Sequence, residues 1–192
     1  MSKYFEYFPT TTYAVANSSF TISKVVRDIS LKTRIIDQIG KDDPYLFLPY
    51  VIKEGEKAED IADFYYGSTD YIWLVYMSND IIDPYDQWPK DTKNFNQYLE
   101  MKYSDQAGNT DVVTWTKANT IHYKNSTTGH LISTETFSLS ANLNPSFVGG
   151  DWTAVDYYTY ESEENEALRS IKLINSSYKN TAESNLRRLL ND

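Results

Sequence analysis

Residues 49–89 decide the fold, and they read PYVIKEGEKAEDIADFYYGSTDYIWLVYMSNDIIDPYDQWP. The start of this stretch predicts a short strand after Pro49, and Gly55 is expected to end that strand. An apolar stripe at helical spacing then predicts a helix over residues 58–66. Because Gly67 can adopt the left-handed conformation of a helix C-terminus, the helix is expected to end there.

A second helix is predicted directly after the first, over residues 69–79. Ser68 can cap it, and Asp70 in its first turn complements the helix dipole. Residues 71–77, Tyr-Ile-Trp-Leu-Val-Tyr-Met, leave this helix without a polar face over two turns. The helix is therefore expected either to be central to a core or to be buried against a partner.

The sequence before this stretch predicts an arm. Residues 1–20 are rich in aromatics and Thr but have no steady period, which favours an extended arm that packs on another protein. Residues 20–39 predict a strand or arm followed by a helix, and Gly40 is the expected end of that helix.

The sequence after it predicts a loop, a helix, a hairpin and a final helix. Residues 80–91 favour a loop, and apolar residues at helical spacing then continue to Tyr103. Residues 111–124 and 131–139 predict the two strands of a β-hairpin, with the turn between them. The chain is expected to end in a helix over residues 181–190.

These elements predict an α+β fold. Its parts are a βααβ centre, an extended N-terminal arm, a β-hairpin and a C-terminal helical segment. Four segments are expected: an arm and helix over residues 1–44, the central module with its following helix over 45–103, the hairpin and a loop over 104–150, and the C-terminal helical segment over 151–192.

The charge of the chain excludes two classes of partner. It carries 18 Lys and Arg against 27 Asp and Glu, a net charge of −9. Nucleic acid and anionic membranes bind through clusters of Lys and Arg, so neither is expected as a partner. No window approaches the roughly 18 apolar residues of a membrane span, and no apolar leader is evident, so synthesis in the cytoplasm is expected.

Catalysis is not predicted. The carboxylates within residues 54–60 lie at the first turn of a predicted helix, where they complement its dipole. His122 and His130 flank the predicted hairpin turn, but a zinc site needs further ligands and the chain has no Cys, so no metal or cofactor is expected. There is also no Gly-x-Ser-x-Gly elbow and no Gly-rich phosphate loop, and the chain is not expected to be an enzyme.

Residues 50–56, Tyr-Val-Ile-Lys-Glu-Gly-Glu, resemble the opening of a LysM domain, which is a βααβ module. The stretch Asn79-Asp80-Ile81-Ile82-Asp83-Pro84 is similar to the loop after the second LysM helix. The resemblance implies a groove for N-acetylglucosamine polymers between residues 54–57 and 79–85. Lys57 departs from the usual Thr or Ser, and a closing strand is not evident after Trp88.

A second resemblance covers about 170 residues and rests on five motifs in a fixed order. They are Tyr7-Phe8-Pro9; Val26-Arg27-Asp28-Ile29; Ile61-Ala62-x-x-Tyr65-Tyr66-Gly67-x-x-x-Tyr71-x-Trp73-Leu74; Asn79-x-Ile81-x-Asp83-Pro84-Tyr85-x-x-Trp88-Pro89; and Glu164-Asn165-Glu166-x-x-Arg169-x-Ile171-Lys172-Leu173-Ile174. In this order they resemble the baseplate wedge subunit of contractile-tailed phages called gene product fifty-three, whose middle segment is itself similar to LysM.

This resemblance implies a virion structural protein of the tail baseplate that bridges neighbouring wedges. The implied partners are other wedge subunits and the baseplate protein from which the sheath starts, and residual glycan binding stays open. The contacts are expected to use aromatic residues, which form 15% of the chain. The predicted partner-binding residues are Tyr66, Tyr71, Trp73, Tyr85 and Trp88.

Three alternatives remain open from the sequence. Each of these aromatic residues could instead pack within the core of the small central module. The chain could be a LysM-type peptidoglycan-binding module of a tail-associated protein. A cell-wall hydrolase would require a pair of catalytic carboxylates, which the sequence does not single out.

Overall fold

The computed structural model describes residues 3–17, 20–28, 45–144, 146–147 and 149–191. The strands in these ranges are β1 Thr10–Asn17, β2 Phe20–Arg27, β3 Phe47–Val51, β4 Thr120–Asn125, β5 Leu131–Ser133, β6 Trp152–Asp156 and β7 Ser170–Ile174. The α-helices are α1 Ala58–Tyr66, α2 Ile72–Ser78, α3 Pro84–Gln87, α4 Thr92–Ala107, α5 Val112–Ala118, α6 Thr134–Leu143, α7 Tyr157–Ala167 and α8 Lys179–Asn191. The predicted α+β class is confirmed.

The described residues form two compact units. Unit 1 contains those up to Trp88 together with those from Ser170 onward, and unit 2 contains residues 89–169. Unit 2 is thus inserted between two parts of unit 1. The division into four segments stays a prediction.

A two-stranded antiparallel sheet lies at the centre of unit 1. Strand β3 pairs with β7, so that Phe47 lies opposite Ile174 and Pro49 lies opposite Lys172. From β3 onward and without the insertion, the elements are β3, α1, α2, the short helix α3 and β7. Apart from α3 this is a βααβ arrangement, and its closing strand comes from beyond unit 2. The kinship of this arrangement with LysM domains stays a prediction.

Pro49 fits in β3 because it faces the edge of the sheet. The main-chain N–H of Asn175 donates to the carbonyl of Leu46 at 2.8 Å. Hydrogen-bonded pairs alternate along an antiparallel ladder, so the main-chain groups of Pro49 point away from β7. A proline there removes no hydrogen bond between the two strands.

The end of α1 and the approach to α2 lie where the local sequence predicts them. Gly67 has φ 79°, and its N–H donates to the carbonyl of Asp63, which ends α1. The hydroxyl of Ser68 accepts a hydrogen bond from the N–H of Asp70 and caps the 3-10 turn Thr69–Tyr71 that leads into α2. Every residue of α2 is buried or half-buried, and this helix is central to the core of unit 1.

Three other parts of the chain complete that core. The 3-10 helix Lys3–Tyr7 contributes Tyr7, and the residue after it is the buried Phe8. Helix α8, which confirms the predicted C-terminal helix, buries Ala182, Leu186 and Leu190. Strand β7 contributes its own buried residues, Ile171, Leu173 and Ile174. Unit 1 is therefore held by segments from both ends of the chain.

Strands β1 and β2 form an antiparallel hairpin. The predicted arm is thus a strand for most of its length after Thr10. The strand predicted from Phe20 is confirmed, and it continues to Arg27, so the helical stripe predicted to include Val25 and Val26 is wrong there; residues 29–40 of the predicted helix lie outside the described residues.

Unit 2 has a three-stranded antiparallel sheet in the order β5, β4, β6. Its core is formed by Phe95, Leu99 and Tyr103 of α4, packed against Trp115 of α5 and Tyr157 of α7. Among the described residues of the whole chain, no helix has both the length and the apolar character needed to cross a membrane.

The predicted hairpin is present but shorter than expected. Strands β4 and β5 pair around the turn, whereas residues 112–118 form α5 and residues 134–143 form α6. Asp111 and Ser133 cap these helices by accepting from the N–H groups of Thr114 and Thr136. The β-branched residues predicted strands, but capping and the packing of Trp115 on α4 favour helix.

Candidate partner-binding surface

The loop after α2 is fixed by side chains that bond to the main chain. Asn79 Oδ1 accepts from the N–H of Lys172 at 2.7 Å, and Asn79 Nδ2 donates to the carbonyl of Lys172 at 2.8 Å. Gln87 Oε1 accepts from the N–H groups of Ile82 and Asp83, at 2.7 and 2.9 Å. These side chains therefore hold residues 79–88 in place, a segment that includes the short helix α3 and is called the loop below.

Trp88 closes this loop against the turn that precedes α1. Its Nε1 donates to the carbonyl of Glu56 at 3.0 Å, and its ring packs edge-on against Tyr76 with centroids 6.0 Å apart. Glu56 is itself held, because its carboxylate accepts from the Tyr50 hydroxyl at 2.8 Å and from the N–H of Lys53 at 2.9 Å. Both sides of this junction are thus anchored in unit 1.

A groove of about 350 Å³ lies between the start of α1 and the loop. Its lining residues are Lys57, Ala58, Glu59, Tyr76, Pro84, Tyr85 and Trp88. Burial, and then the nearby Glu59, raise the pKa of Tyr76, so its hydroxyl stays protonated at neutral pH. The walls combine the aromatic rings of Tyr76, Tyr85 and Trp88 with the charged side chains of Lys57 and Glu59, which suits contact with a ligand or a protein.

Three large apolar side chains project from the elements around this groove. Tyr85 is 89% exposed and Ile82 is 91% exposed, both on the ordered loop. Phe64 is 82% exposed on α1, on the side of the helix away from the buried Ala62. Large apolar residues held on ordered elements and left in solvent are typical of contact surfaces.

Tyr66 and Trp73 are not on this surface. They are 3% and 4% exposed, and the Tyr66 hydroxyl donates to the carbonyl of Ile174 at 2.9 Å. Burial raises the pKa of Tyr66 beyond its ordinary range, and the hydroxyl stays neutral. These two rings pack in the core of unit 1, and we do not propose them as partner-binding residues.

Tyr71 belongs to a second cluster, where the N-terminal segment meets α8. The hydroxyls of Tyr7 and Tyr71 donate to the two carboxylate oxygens of Glu183, at 3.0 and 3.3 Å. Arg187 donates to the same carboxylate at 2.8 Å, and Lys179 lies 4.7 Å from the centre of the Tyr71 ring. This cluster fastens both ends of the chain to each other within unit 1.

Unit 2 contains a buried carboxylate that the sequence did not single out. Glu161, 5% exposed, accepts from Tyr98 at 2.9 Å, from Lys102 at 2.7 Å and from Tyr103 at 2.5 Å. Burial alone would raise the pKa of Glu161, but these three donors outweigh it and lower the pKa. Glu161 therefore stays ionised and ties α7 to α4.

The two histidines do not face each other across the hairpin. His122 lies opposite Ser133, whereas the carbonyl of His130 accepts from the N–H of Asn125. In the part of the chain that the structure describes, no group of three or more His, Asp or Glu residues is placed to hold a metal ion.

Two exposed apolar residues on the elements around the groove, Phe64 and Ile82, were not predicted from the sequence. Phe64 stands out of phase with the apolar stripe of α1, and this departure was the available signal. Ile82 follows Ile81 in a loop, where two adjacent aliphatic residues cannot both point inward.

Comparison with known proteins gives two matches. Residues 5–129 match the family described as base plate wedge protein 53. The chain is also 29% identical over 153 residues to the baseplate wedge protein gp53 of Enterobacteria phage T4, and the alignment covers 76% of this chain and 74% of that protein.

Proposed function

The chain belongs to the base plate wedge protein 53 family, and from this membership we propose that it joins neighbouring wedges of a contractile tail baseplate through protein–protein contacts. It is a structural component of the phage virion, in the tail baseplate. The family match carries this proposal. Contacts between subunits are its mode of action, and no catalytic step, cofactor, nucleic acid or membrane takes part.

The partners in this proposal are other baseplate wedge subunits and the protein from which the sheath starts. A contact of this kind needs large side chains that are free before assembly and held in place by the fold. Tyr85 meets both conditions, because it is exposed on a loop that Asn79, Asp83 and Gln87 fix. Trp88 supports the same loop from within the groove, and Tyr71 contributes by fastening α8.

The test is assembly of wedges with an altered chain. Replacing Tyr85 with Ala removes the exposed ring and leaves the hydrogen bonds of the loop intact. We expect Tyr85→Ala to fold normally and to co-sediment with wedge and baseplate complexes about tenfold less than the wild type. Circular dichroism and a thermal melt establish the fold before the gradient is run.

A matched control replaces an exposed tyrosine elsewhere. Tyr13→Ala removes a tyrosine ring that is 61% exposed on the β1–β2 hairpin, against 89% for Tyr85, and leaves the groove unchanged. If Tyr85→Ala enters complexes as well as the wild type does, Tyr85 is not a contact residue. If the wild type itself stays at the top of the gradient with purified wedges, the proposed function is wrong.

A second candidate function is peptidoglycan binding, and the groove is the observation that favours it. The groove lies between the turn before α1 and the loop after α2, which is where the LysM resemblance implies a glycan site. A pull-down on purified peptidoglycan should use the whole chain, because β7 and α8 complete unit 1. Retention of the wild type together with loss in Tyr85→Ala would favour this function.

A further inference from the structure

We propose that unit 1 meets its baseplate partner through a face that is both acidic and apolar, and that the surface it docks on is basic. This acidic face consists of Glu59, Asp63, Phe64, Ile82, Tyr85 and Asp86. The inference rests on the proposed function, and it adds the chemistry of the partner and the residues that select it.

The acidic face spans the exposed side of α1 and the adjacent loop. Glu59 and Tyr85 line the same groove, so the start of α1 and the loop are adjacent there. Asp63 is four residues after Glu59 on α1 and therefore follows it on the same side of the helix, beside the exposed Phe64. Asp86 and Ile82 extend the face along the loop. Each of these six side chains is exposed.

Nearly all of the net charge of the chain lies in this region. Residues 54–88 contain nine Asp and Glu residues against one Lys, a net charge of −8, and the whole chain has −9. Seven of the nine carboxylates belong to exposed residues. Elsewhere the charges nearly balance, with 18 Asp and Glu against 17 Lys and Arg, so the excess negative charge of the chain is concentrated in this part of unit 1.

The apolar residues and the charge together specify the partner. Phe64, Ile82 and Tyr85 would bury their side chains in a protein–protein interface and supply most of its affinity. The surrounding carboxylates would repel an acidic neighbour, including a second copy of this chain, and attract Lys and Arg. The fitting partner is thus a protein surface with basic residues around apolar pockets.

The experiment measures association rates with wedge complexes purified from phage that lack this subunit. Asp63→Lys combined with Asp86→Lys reverses two exposed charges of the acidic face and removes no hydrogen bond that the fold uses. We expect the association rate of this variant to fall about tenfold at low ionic strength. We also expect the wild-type rate to fall steeply as salt rises to about 0.3 M, because the charges are then screened.

A matched control reverses two exposed carboxylates of unit 2. Asp105→Lys with Glu164→Lys makes the same change in net charge, and we expect it to alter the rate by less than about twofold. Phe64→Ser tests the apolar part of the acidic face. It should increase the dissociation rate about tenfold and change the association rate little.

The outcomes separate the two proposals. If wild-type chain binds wedges but neither salt nor the Asp63 and Asp86 reversals change the rate, the partner surface is not basic and this inference is wrong. Equal losses in both pairs of reversals would also overturn it, because net charge alone would then explain the effect. If the wild-type chain does not bind wedges, the proposed function fails, and this inference fails with it.

Discussion

The side-chain amide of Asn79 pairs with the main chain of Lys172 in the way that a neighbouring strand would. It accepts from the N–H of Lys172 at 2.7 Å and donates to the carbonyl at 2.8 Å, across 93 positions of the sequence. Lys172 lies opposite Pro49 in the ladder, where its main-chain groups point away from β3. Asn79 thus covers the outer edge of β7 and fastens the loop that carries Tyr85.

Replacing Asn79 with Ala should loosen this loop and destabilise unit 1. Both bonds to Lys172 are lost, and we expect the free energy of unfolding to fall by about 1–2 kcal/mol in urea titrations. The amides of residues 81–88 should also exchange faster with deuterium. Asn180→Ala, on an exposed position of α8, is the matched control and should change stability by less than about 0.5 kcal/mol. An unchanged exchange rate in the loop would contradict the role given to Asn79.

A chain that ends after Arg169 should lose the fold of unit 1. The deletion removes β7 and α8 with six core residues, and each large one contributes about 1.5–3 kcal/mol of burial free energy. For the five large residues the sum is about 7.5–15 kcal/mol, which is as large as the whole stability of a typical domain, about 5–15 kcal/mol. Hydrogen exchange should show no protection of α1 and α2, and adding a peptide of residues 170–191 in trans should restore part of it. Protected α1 and α2 amides in the shortened chain alone would show that the closing strand is dispensable.

Local signals in the sequence were sufficient for α1 and α2. Gly67 and Ser68 act through their own backbone and nearest neighbours, so the end of one helix and the cap of the next could be predicted. The apolar run of residues 71–77 also specified burial correctly, although it could not distinguish the core of this chain from a partner.

The contacts between distant residues could not be predicted. Strand β7 pairs with β3 although more than 100 residues separate them, and the sequence of residues 170–174 does not indicate which strand it pairs with. Glu161 lies in an acidic stretch and has no local feature that sets it apart, because its buried position follows only from the packing of α7 on α4. Trp73 shows the same limit, since an aromatic residue in an apolar helix has the same local pattern in a core and at an interface.

Replacing Tyr7 with Phe should weaken the attachment of the N-terminal segment to α8. Burial, and then Glu183, raise the pKa of Tyr7 from 10.0 to about 12. Because this pKa is raised in the folded state, the contribution of Tyr7 is complete below pH 10 and is lost as the pH rises towards 12. Tyr7→Phe should lower the free energy of unfolding by about 1 kcal/mol at pH 7 in urea titrations. Above pH 10, the free energy of unfolding of this variant should decline less steeply than that of the wild type. Tyr13→Phe, at an exposed position, should leave both quantities unchanged.

Replacing Glu161 with Gln should destabilise unit 2 at neutral pH. The carboxylate accepts from three donors, and Gln retains one acceptor oxygen without the charge that pairs with Lys102. We expect a loss of about 2–4 kcal/mol, measured from the exchange of α4 and α7 amides in urea. Glu164→Gln, on an exposed position of the same helix, removes one charge without this packing and should cost less than about 0.5 kcal/mol.

The acid sensitivity of unit 2 should depend on the same carboxylate. The pKa of Glu161 is lowered in the folded state, so its contribution is present above the ordinary value of 4.5 and is lost as the pH falls through the folded-state pKa. In wild-type chain the protection of α4 should therefore fall between pH 5 and strongly acid pH, since protonation removes the charge that pairs with Lys102 and leaves fewer acceptor sites for the three donors. In Glu161→Gln the protection of α4 should not show this loss on acidification. If the two proteins lose protection in parallel, other carboxylates control the acid response and Glu161 has no special part in it.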